Sequence, residues 1–183
     1  GAVLIKVADK ITTDHIMPAG ELLKHRSNVP EYAKYVFDCF NEKGKPTFAE
    51  RAAKVRDAGK VGLIVAGESY GQGSSREHAA LCPMYLGVGV VIAKSIERIH
   101  QANLVNFGIL PLTFRDAGDY ERIADGDELA VESVSGAIAA AETVAVRNAS
   151  RGFEFVCDVS LSPRQRKILA AGGLLNYTRH GGR

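Results

Sequence analysis

Residues 67–81 read Gly-Glu-Ser-Tyr-Gly-Gln-Gly-Ser-Ser-Arg-Glu-His-Ala-Ala-Leu, and they decide how the middle of the chain folds. The apolar run at 61–66 precedes them and predicts a buried strand. A helical pattern follows, from about residue 76 to residue 86. A glycine-rich turn therefore leads from a strand directly into a helix.

The residue types in this turn predict an anion site. Helix N-termini present unpaired N–H groups and a partial positive charge. Gly71 and Gly73 carry no Cβ and let backbone amides approach a ligand closely. Arg76 adds a planar fork that suits a carboxylate or a phosphate, and Ser74 and Ser75 stand beside it.

Three common turn motifs do not match this turn. A P-loop would end in Gly-Lys-Ser/Thr, and a dinucleotide fingerprint would have other glycine spacing and an acidic residue after the next strand. The Gly-x-Ser-x-Gly elbow is also absent. A plain helix cap, with Arg76 as a surface side chain, remains the alternative to an anion site.

The rest of the pattern predicts alternating strands and helices. Strands are expected at 3–7, 61–66, 88–93 and 108–114, a polar loop at 11–20, and helices at 30–40, 48–58, 76–86 and 95–107, the last capped by Ser95. A short helix at 118–123, strands at 127–133, 142–148 and 153–159, turns at 135–136 and 150–152, and a final helix between Ser162-Pro163 and Gly172-Gly173 should follow. This succession predicts an α/β domain with a parallel core and an added β layer. Ligands of parallel sheets sit beyond the carboxyl ends of strands, where the glycine turn lies.

Composition indicates an ordinary globular protein. The chain has 183 residues, 46% hydrophobic and 24% charged, with a net charge of +2, which gives no electrostatic case for nucleic acid or an anionic membrane. No apolar run approaches the roughly 20 residues of a membrane span, and no signal peptide is visible. Because the chain begins with Gly rather than Met, we expect a piece of something longer.

Cysteine usage indicates a reducing compartment. Cys39, Cys82 and Cys157 are far apart and form no Cys-x-x-Cys pair, so no zinc knuckle, local iron–sulfur motif or disulfide framework is expected. Cys82 lies one turn past Arg76, where it is either a reactive thiol or, as we favour, a small buried hydrophobe.

Two further segments carry candidate site residues, each with a simpler alternative. In Thr12-Thr13-Asp14-His15, Asp14 either bonds to the local backbone of a turn or orients a hydroxyl or an arginine. Arg26 belongs either to a solvated charge run at 24–28 or to a second carboxylate clamp. The remaining histidines show no metal-ligand spacing and are expected in satisfied structural or surface roles: His78, His100 and His180.

Four segments together resemble the C-terminal, swivelling domain of aconitases: 9–16, 67–81, 94–104 and 108–114. The resemblance is strong over residues 3 to 115 and weaker in the tail. It implies a three-layer swivelling β/β/α domain with a parallel central sheet and a second, smaller β layer. Residues 1–183 would then form one such domain, a fragment or subunit of a larger enzyme.

The resemblance also implies a function. Aconitases are hydro-lyases that convert citrate to isocitrate through cis-aconitate. By the resemblance Ser74 is the catalytic base, Asp14 lies in the active site, and Arg26, Ser75 and Arg76 bind substrate carboxylates. The [4Fe–4S] cluster is bound by cysteines of other domains, so this chain would hold no metal. Its partners would be those domains and a tricarboxylate, with no nucleic acid and no membrane, in the cytoplasm or in a eukaryote's mitochondrial matrix.

The residue types suit that chemistry. Removal of a weakly acidic proton beside a carboxylate builds a multiply charged intermediate, which needs fixed positive partners such as Arg26 and Arg76. Serine is a poor base at its free pKa, and amides, a helix end and Arg76 could stabilise its alkoxide. The leaving hydroxyl needs a Lewis acid, which the other domains would supply, so the chain alone should be inactive.

Other functions fit parts of the pattern. The small subunit of isopropylmalate isomerase is a separate chain with the same serine turn, although residues 12–16 and 24–26 fit aconitase better. Homoaconitase and methylcitrate-type dehydratases also fit, because the carboxylate-binding residues do not specify the rest of the substrate. A non-catalytic carboxylate- or phosphate-binding module is the alternative of another class. RNA binding is disfavoured by the near-neutral charge and the lack of interleaved basic and aromatic residues.

Overall fold

The computed structural model describes residues 1–179 and 181–182. Its centre is a seven-stranded mixed sheet in the order β1-β2-β3-β4-β7-β6-β5. The strands are β1 Ala2–Val7, β2 Gly62–Ala66, β3 Val88–Ala93, β4 Leu110–Phe114, β5 Leu129–Val131, β6 Thr143–Asn148 and β7 Phe153–Asp158. The first four strands are parallel, and β4, β7, β6 and β5 pair antiparallel in that order.

Helices connect and cover these strands. They are α1 Thr13–Ile16, α2 Val29–Tyr32, α3 Phe48–Asp57, α4 His78–Tyr85, α5 Arg98–Asn106, α6 Val134–Ala139, α7 Pro163–Ala170 and α8 Leu174–Arg179. Short 3₁₀ helices occupy Gly20–His25, Ala33–Tyr35, Asp38–Phe40 and Ala117–Arg122. None of the helices in the described part of the chain combines the length and apolar character needed to cross a membrane.

The parallel strands are buried on both faces, which is why they read as continuous apolar runs. Every residue of β2 is buried. Ile64 and Ala66 pack into one core with residues of α3 and α4, whereas Leu63 and Val65 pack into a second core with residues of β4, β6, β7 and α7. The predicted α/β class, with a parallel central sheet and a smaller β layer, is confirmed. The smaller layer is continuous with the parallel sheet, because Phe114 of β4 pairs with Cys157 of β7.

The two edge strands of the sheet, β1 and β5, meet near the ends where they begin. Ala2 at the start of β1 bridges Glu128, just before β5. The Val3 N–H donates to the Asp127 carbonyl at 2.9 Å, and the Leu129 N–H donates to the Gly1 carbonyl at 3.0 Å. The two edge strands of the sheet, β1 and β5, are therefore hydrogen-bonded to each other where they begin.

The long helix predicted at 30–40 is wrong. The α-helix ends at Tyr32, and Val36 leaves the helical region with ψ 126°. Phe37 adopts the left-handed region at φ 55°, and its N–H donates to the Ile16 carbonyl at 2.9 Å. Its buried ring lies 5.0 Å from the ring of Phe48. This packing outweighs the helical spacing of the apolar residues, since propensity yields to tertiary contacts.

Three smaller differences concern two loops and the C-terminal helices. The turn predicted at 135–136 is helix α6, and the polar loop predicted at 11–20 contains helix α1. Ser162 opens α7 as predicted, by a capping box with Gln165. This helix is not the final one, because α8 follows Gly173.

Candidate functional site

The glycine turn lies where the parallel strands β1, β2 and β3 end. Thr12, after β1, bridges Gln72, and Tyr70 bridges Ile96, after β3. Three loops therefore meet at one edge of the sheet, as expected for a ligand site in a parallel sheet.

The first half of the turn is fixed by hydrogen bonds to both neighbouring loops. The Gly71 N–H donates to the Ile11 carbonyl at 2.8 Å, and the Tyr70 N–H donates to the Ser95 carbonyl at 3.0 Å. The Ser69 N–H donates to Ser95 Oγ at 2.8 Å. The prediction that Ser95 caps a helix is therefore wrong: its hydroxyl holds the glycine turn, and α5 begins only at Arg98.

The second half of the turn is much less constrained. The N–H groups of Gly73, Ser74 and Ser75 take part in none of the hydrogen bonds found among the described residues, and both serine residues are exposed. Helix α4 begins at His78, two residues later than predicted. The unpaired amides that the sequence analysis assigned to a helix end thus lie in the turn itself, beside two hydroxyls.

Arg76 is held by Asp14. Its Nη1 donates to Asp14 Oδ1 at 2.7 Å and its Nη2 to Asp14 Oδ2 at 2.9 Å, and Nη1 also donates to the Met17 carbonyl at 3.1 Å. These hydrogen bonds lower the pKa of Asp14 and raise that of Arg76. Of the five guanidinium donors, the Nε–H and one Nη2–H take part in no hydrogen bond among the described residues. Those two form a side-on fork of the kind that binds a carboxylate.

Helix α1 sets the position of Asp14. Thr12 caps this one-turn helix, since its Oγ1 accepts from the His15 N–H at 3.2 Å while its own N–H donates to His15 Nδ1 at 3.1 Å. The Thr13 N–H donates to the Gln72 carbonyl at 2.9 Å, which ties the helix to the glycine turn. The local-turn interpretation of Asp14 accounts for this helix but not for the bidentate pair with Arg76. The geometry favours a carboxylate that orients an arginine.

Arg26 reaches the same region through its backbone. It follows the Gly20–His25 3₁₀ helix and is exposed. Its carbonyl oxygen lies 3.0 Å from Nε2 of His78, the first residue of α4. The His78 ring packs 5.4 Å from that of Tyr32. The structure thus brings the backbone of Arg26 to the start of α4 but shows no bond from its side chain to the turn.

The sequence analysis missed the polar groups under the turn. Thr13 Oγ1 and both ring nitrogens of His100 are buried without a hydrogen-bond partner among the described residues. Burial lowers the pKa of His100 to about 4. The expectation of satisfied histidines is confirmed for His78, whose Nε2 lies at the Arg26 carbonyl, and it stays a prediction for His100, while His180 lies outside the described residues. The signal in the sequence is Gly71 itself, because a Cβ there would come within 2.2 Å of the His100 ring.

The three cysteines lie apart. Cys39 is exposed, whereas Cys82 and Cys157 are fully buried in different cores. Burial raises the pKa of both buried thiols to about 12, which confirms Cys82 as a small buried hydrophobe. Residues 1–179 and 181–182 contain no group of three or more metal-ligating side chains close enough to hold an ion. The described residues of this chain therefore do not fit a [4Fe–4S] cluster.

Comparison with known families agrees with these features. The family model described as the aconitase C-terminal domain matches residues 3–117. The chain belongs to this family. The match covers the parallel strands β1–β4 and all three loops of the site.

The individual relatives of this aconitase C-terminal domain are named as hydratases or dehydratases. It is 40% identical, over 69% of its length, to the mitochondrial aconitate hydratase of Candida albicans, and 38% identical, over 73%, to that of Schizosaccharomyces pombe; these stretches are 18% and 19% of the two relatives. It is 38% identical, over 69% of its length and 18% of the relative, to the mitochondrial homocitrate dehydratase of Saccharomyces cerevisiae. Even where the match covers 96% of the chain, it spans only about a quarter of the relative's length.

A solved structure matches over most of both chains. The crystal structure of 3-isopropylmalate dehydratase (leuD) from Methanocaldococcus jannaschii superposes with a TM-score of 0.73 at 30% sequence identity. The match covers 98% of this chain and 92% of that one. The fold is thus shared with a dehydratase chain of nearly the same length.

Proposed function

We propose that this chain is the swivelling domain of an iron–sulfur hydro-lyase that converts citrate to isocitrate through cis-aconitate. The observation that carries the proposal is the paired geometry of Asp14 and Arg76 beside the serine turn. Asp14 uses the end of the guanidinium and leaves its side-on fork for a substrate carboxylate. The family and the names of the relatives support the same reaction class.

We assign Ser74 as the base. Its hydroxyl is exposed at the turn, next to backbone N–H groups without partners and two residues before Arg76. These donors would stabilise an alkoxide and lower the free energy of its formation. The alkoxide would take the proton from the carbon beside a carboxylate, and hydroxide would leave from the neighbouring carbon. The Ser74 hydroxyl would then pass its proton to the hydroxide, which gives water and cis-aconitate and restores the alkoxide. Re-addition of water with the hydroxyl on the other carbon gives isocitrate.

Three residues bind the substrate carboxylates in this proposal. Arg76 offers its side-on fork, Ser75 a hydroxyl and an N–H group, and Arg26 an exposed guanidinium on the loop that His78 fastens to α4. Fixed positive groups around the substrate lower the energy of a carbanion whose charge adds to that of the carboxylates. Asp14 holds the Arg76 guanidinium in one orientation through two hydrogen bonds.

The cluster belongs to other domains of the same enzyme in this proposal. The three cysteines are too widely separated to bind one together, so we expect the chain alone to be inactive. The mitochondrial names of the fungal relatives support the mitochondrial matrix as its location in a eukaryote, with the cytoplasm as the alternative.

A hydration assay with cis-aconitate tests the proposal, with the chain alone and mixed with an iron-loaded, cluster-bearing fragment from the same source. We expect turnover only in the mixture. Ser74→Ala should lower kcat by several orders of magnitude with little change in KM. Ser135→Ala is the matched control, because α6 packs on α7 and β6, away from the turn. An unchanged kcat in Ser74→Ala would remove Ser74 as the base.

A second candidate is the small subunit of an isopropylmalate dehydratase. The observation in its favour is the shared fold, since this chain superposes on the Methanocaldococcus dehydratase chain with a TM-score of 0.73 over 92% of that chain. Turnover of isopropylmalate rather than cis-aconitate in the mixture would select it. Binding of citrate by the chain alone, with no turnover in any mixture, would instead indicate a carboxylate-binding module.

A further inference from the structure

A small polar pocket lies beneath the serine turn. The turn forms its roof, and α1 and α5 supply the rest of the wall. It is lined by Thr13, Gly71, Gly73, Ser74, Ser75, Ile99, His100 and Asn103. The space open to the centre of a water molecule is about 10 Å³.

The polar side chains of this pocket have no partner elsewhere in the described residues. Thr13 is 2% exposed and His100 is 2% exposed, and Thr13 Oγ1 and both His100 ring nitrogens make no hydrogen bond there. The ring of His100 lies against Gly71 on one side and makes an edge contact with Tyr70, at 5.1 Å between ring centroids. Native proteins seldom leave such groups unpaired, because each unpaired group loses the hydrogen bonds it made to water.

The size and chemistry of the pocket match one water molecule. A buried water needs about one probe sphere of volume and two to four polar partners. Burial keeps the His100 ring neutral near pH 7, by the lowering of its pKa to about 4. A neutral imidazole offers one donor and one acceptor, and the Thr13 hydroxyl offers both.

We propose that this pocket binds one internal water molecule through Thr13 and His100, and that His100 thereby acts as a positioning residue for the Ser74–Ser75 turn. The turn needs such support. Residues 69–72 are fixed by hydrogen bonds to neighbouring loops, whereas the N–H groups of residues 73–75 make none in the described part of the chain. Gly73 lies close enough that a Cβ there would be 3.7 Å from Thr13 Oγ1. A water bound to Thr13 is therefore placed directly under the free half of the turn.

The hydration site can be tested on the chain by itself, independently of any activity. A crystal structure at high resolution should show one ordered water bonded to Thr13 Oγ1 and to a His100 ring nitrogen. The ¹⁵N shifts of His100 should show a single neutral tautomer, and the nearby ring proton should show a cross-relaxation signal to a long-lived water. A well-ordered pocket without water, or a His100 that exchanges freely between tautomers, would overturn the site.

The positioning role rests on the proposed function and needs the active mixture. Thr13→Val keeps the shape and removes the hydroxyl, and Thr13→Ser keeps the hydroxyl. We expect Thr13→Val and His100→Leu to lower kcat about ten- to hundredfold with KM nearly unchanged, since a displaced base loses rate more than affinity. Thr13→Ser should restore most of kcat.

The two hypotheses fail in different ways. If Thr13→Val keeps full kcat although the water is lost from its crystal structure, the positioning role is wrong while Ser74 can still be the base. If the wild-type mixture turns over neither cis-aconitate nor isopropylmalate, the proposed function fails, and the crystallographic and NMR results on the water stand unchanged.

Discussion

Asp14 and Arg76 form a pair whose value lies in orientation more than in stability. Asp14 is 59% exposed in its side chain and Arg76 is 20% exposed. Exposed ion pairs contribute about 0–1 kcal/mol to the free energy of unfolding. The pair instead fixes which edge of the guanidinium faces outward.

This pair predicts a pH dependence. The hydrogen bonds from Arg76 hold the pKa of Asp14 below its ordinary value of 3.8. Its contribution to stability is therefore fully present above about pH 4 and is lost as the pH falls through the lowered folded-state pKa. We expect Asp14→Asn to lower the free energy of unfolding by under about 1 kcal/mol at pH 7, and by less at pH 3. Urea unfolding of both proteins at the two pH values measures this, and a larger loss at pH 3 would contradict it.

Gly71 should be the least replaceable glycine of the turn. It has φ +84°, and a Cβ would come within 2.2 Å of the His100 ring. Gly126 is a matched control, since it has φ +82° and no atom within 4 Å of the same position. We expect Gly126→Ala to cost about 1 kcal/mol from backbone strain alone, and Gly71→Ala about 3 kcal/mol or more. Equal losses in thermal or urea unfolding would show that the His100 ring moves aside freely.

The site could be predicted from the sequence only in part. The residue types around the serine turn predict an anion site, which stays a prediction. One interpretation of Asp14 predicts that it orients an arginine, and the structure pairs it with Arg76. The partner of Asp14 could not be read from spacing, because residues 14 and 76 meet only when the loops after β1 and β2 lie side by side. The polar pocket under the turn was missed for the same reason, since Thr13, Gly71 and His100 come from three separate segments.

At the level of elements, α7 shows how a local signal fixes a boundary. Ser162 Oγ accepts from the Gln165 N–H at 3.3 Å, while the Gln165 side chain accepts from the Ser162 N–H at 2.8 Å, and Pro163 begins the helix. Ser162→Ala should lower the free energy of unfolding by about 1 kcal/mol. Ser160→Ala, which removes a hydroxyl without a hydrogen bond in the described residues, should change it by less than about 0.5 kcal/mol. Urea midpoints of the two variants decide this, and equal losses would contradict the cap.

Elements were predictable where local signals and burial agree. The strands β1–β4 and helices α3 and α7 follow directly from apolar runs, capping residues and glycines. The segment around Phe37 departs from its pattern because Phe37 takes a left-handed conformation to bury its ring beside Phe48. The Ser135-Gly136 sequence of helix α6 is typical of turns and predicts one, whereas Ala137 is buried in the second core.

At the level of the whole molecule, the two buried cysteines report on the two cores separately. Cys82 belongs to the core beside α3 and α4, and Cys157 to the core beside β6 and α7. In the folded protein at pH 8 we expect a thiol reagent to label Cys39 alone, because the other two thiols are buried and their pKa is raised to about 12. Mass spectrometry should find one modification in the native protein and three in denaturant. Native labelling of Cys39→Ser would contradict the burial of the other two.

Separate labelling of Cys82 and Cys157 during urea unfolding would also show whether the two cores open together. The sheet belongs to both cores, so we expect one transition and equal protection at both positions. Earlier exposure of Cys157 would mean that the antiparallel strands β5–β7 detach first.

The hydrogen bonds between β1 and the start of β5 join distant parts of the chain, which affects how the domain folds. The Gly1 nitrogen donates to the carbonyl of Leu129, 128 positions away, and the other neighbour of β1 begins at Gly62. Contacts between such distant segments form slowly, because the entropy of closing long loops is lost before the contacts are gained. Until β1 arrives, β2 presents a bare strand edge on which partly folded copies can pair with one another. We therefore expect the recovered fraction of this domain to fall as the protein concentration during refolding rises.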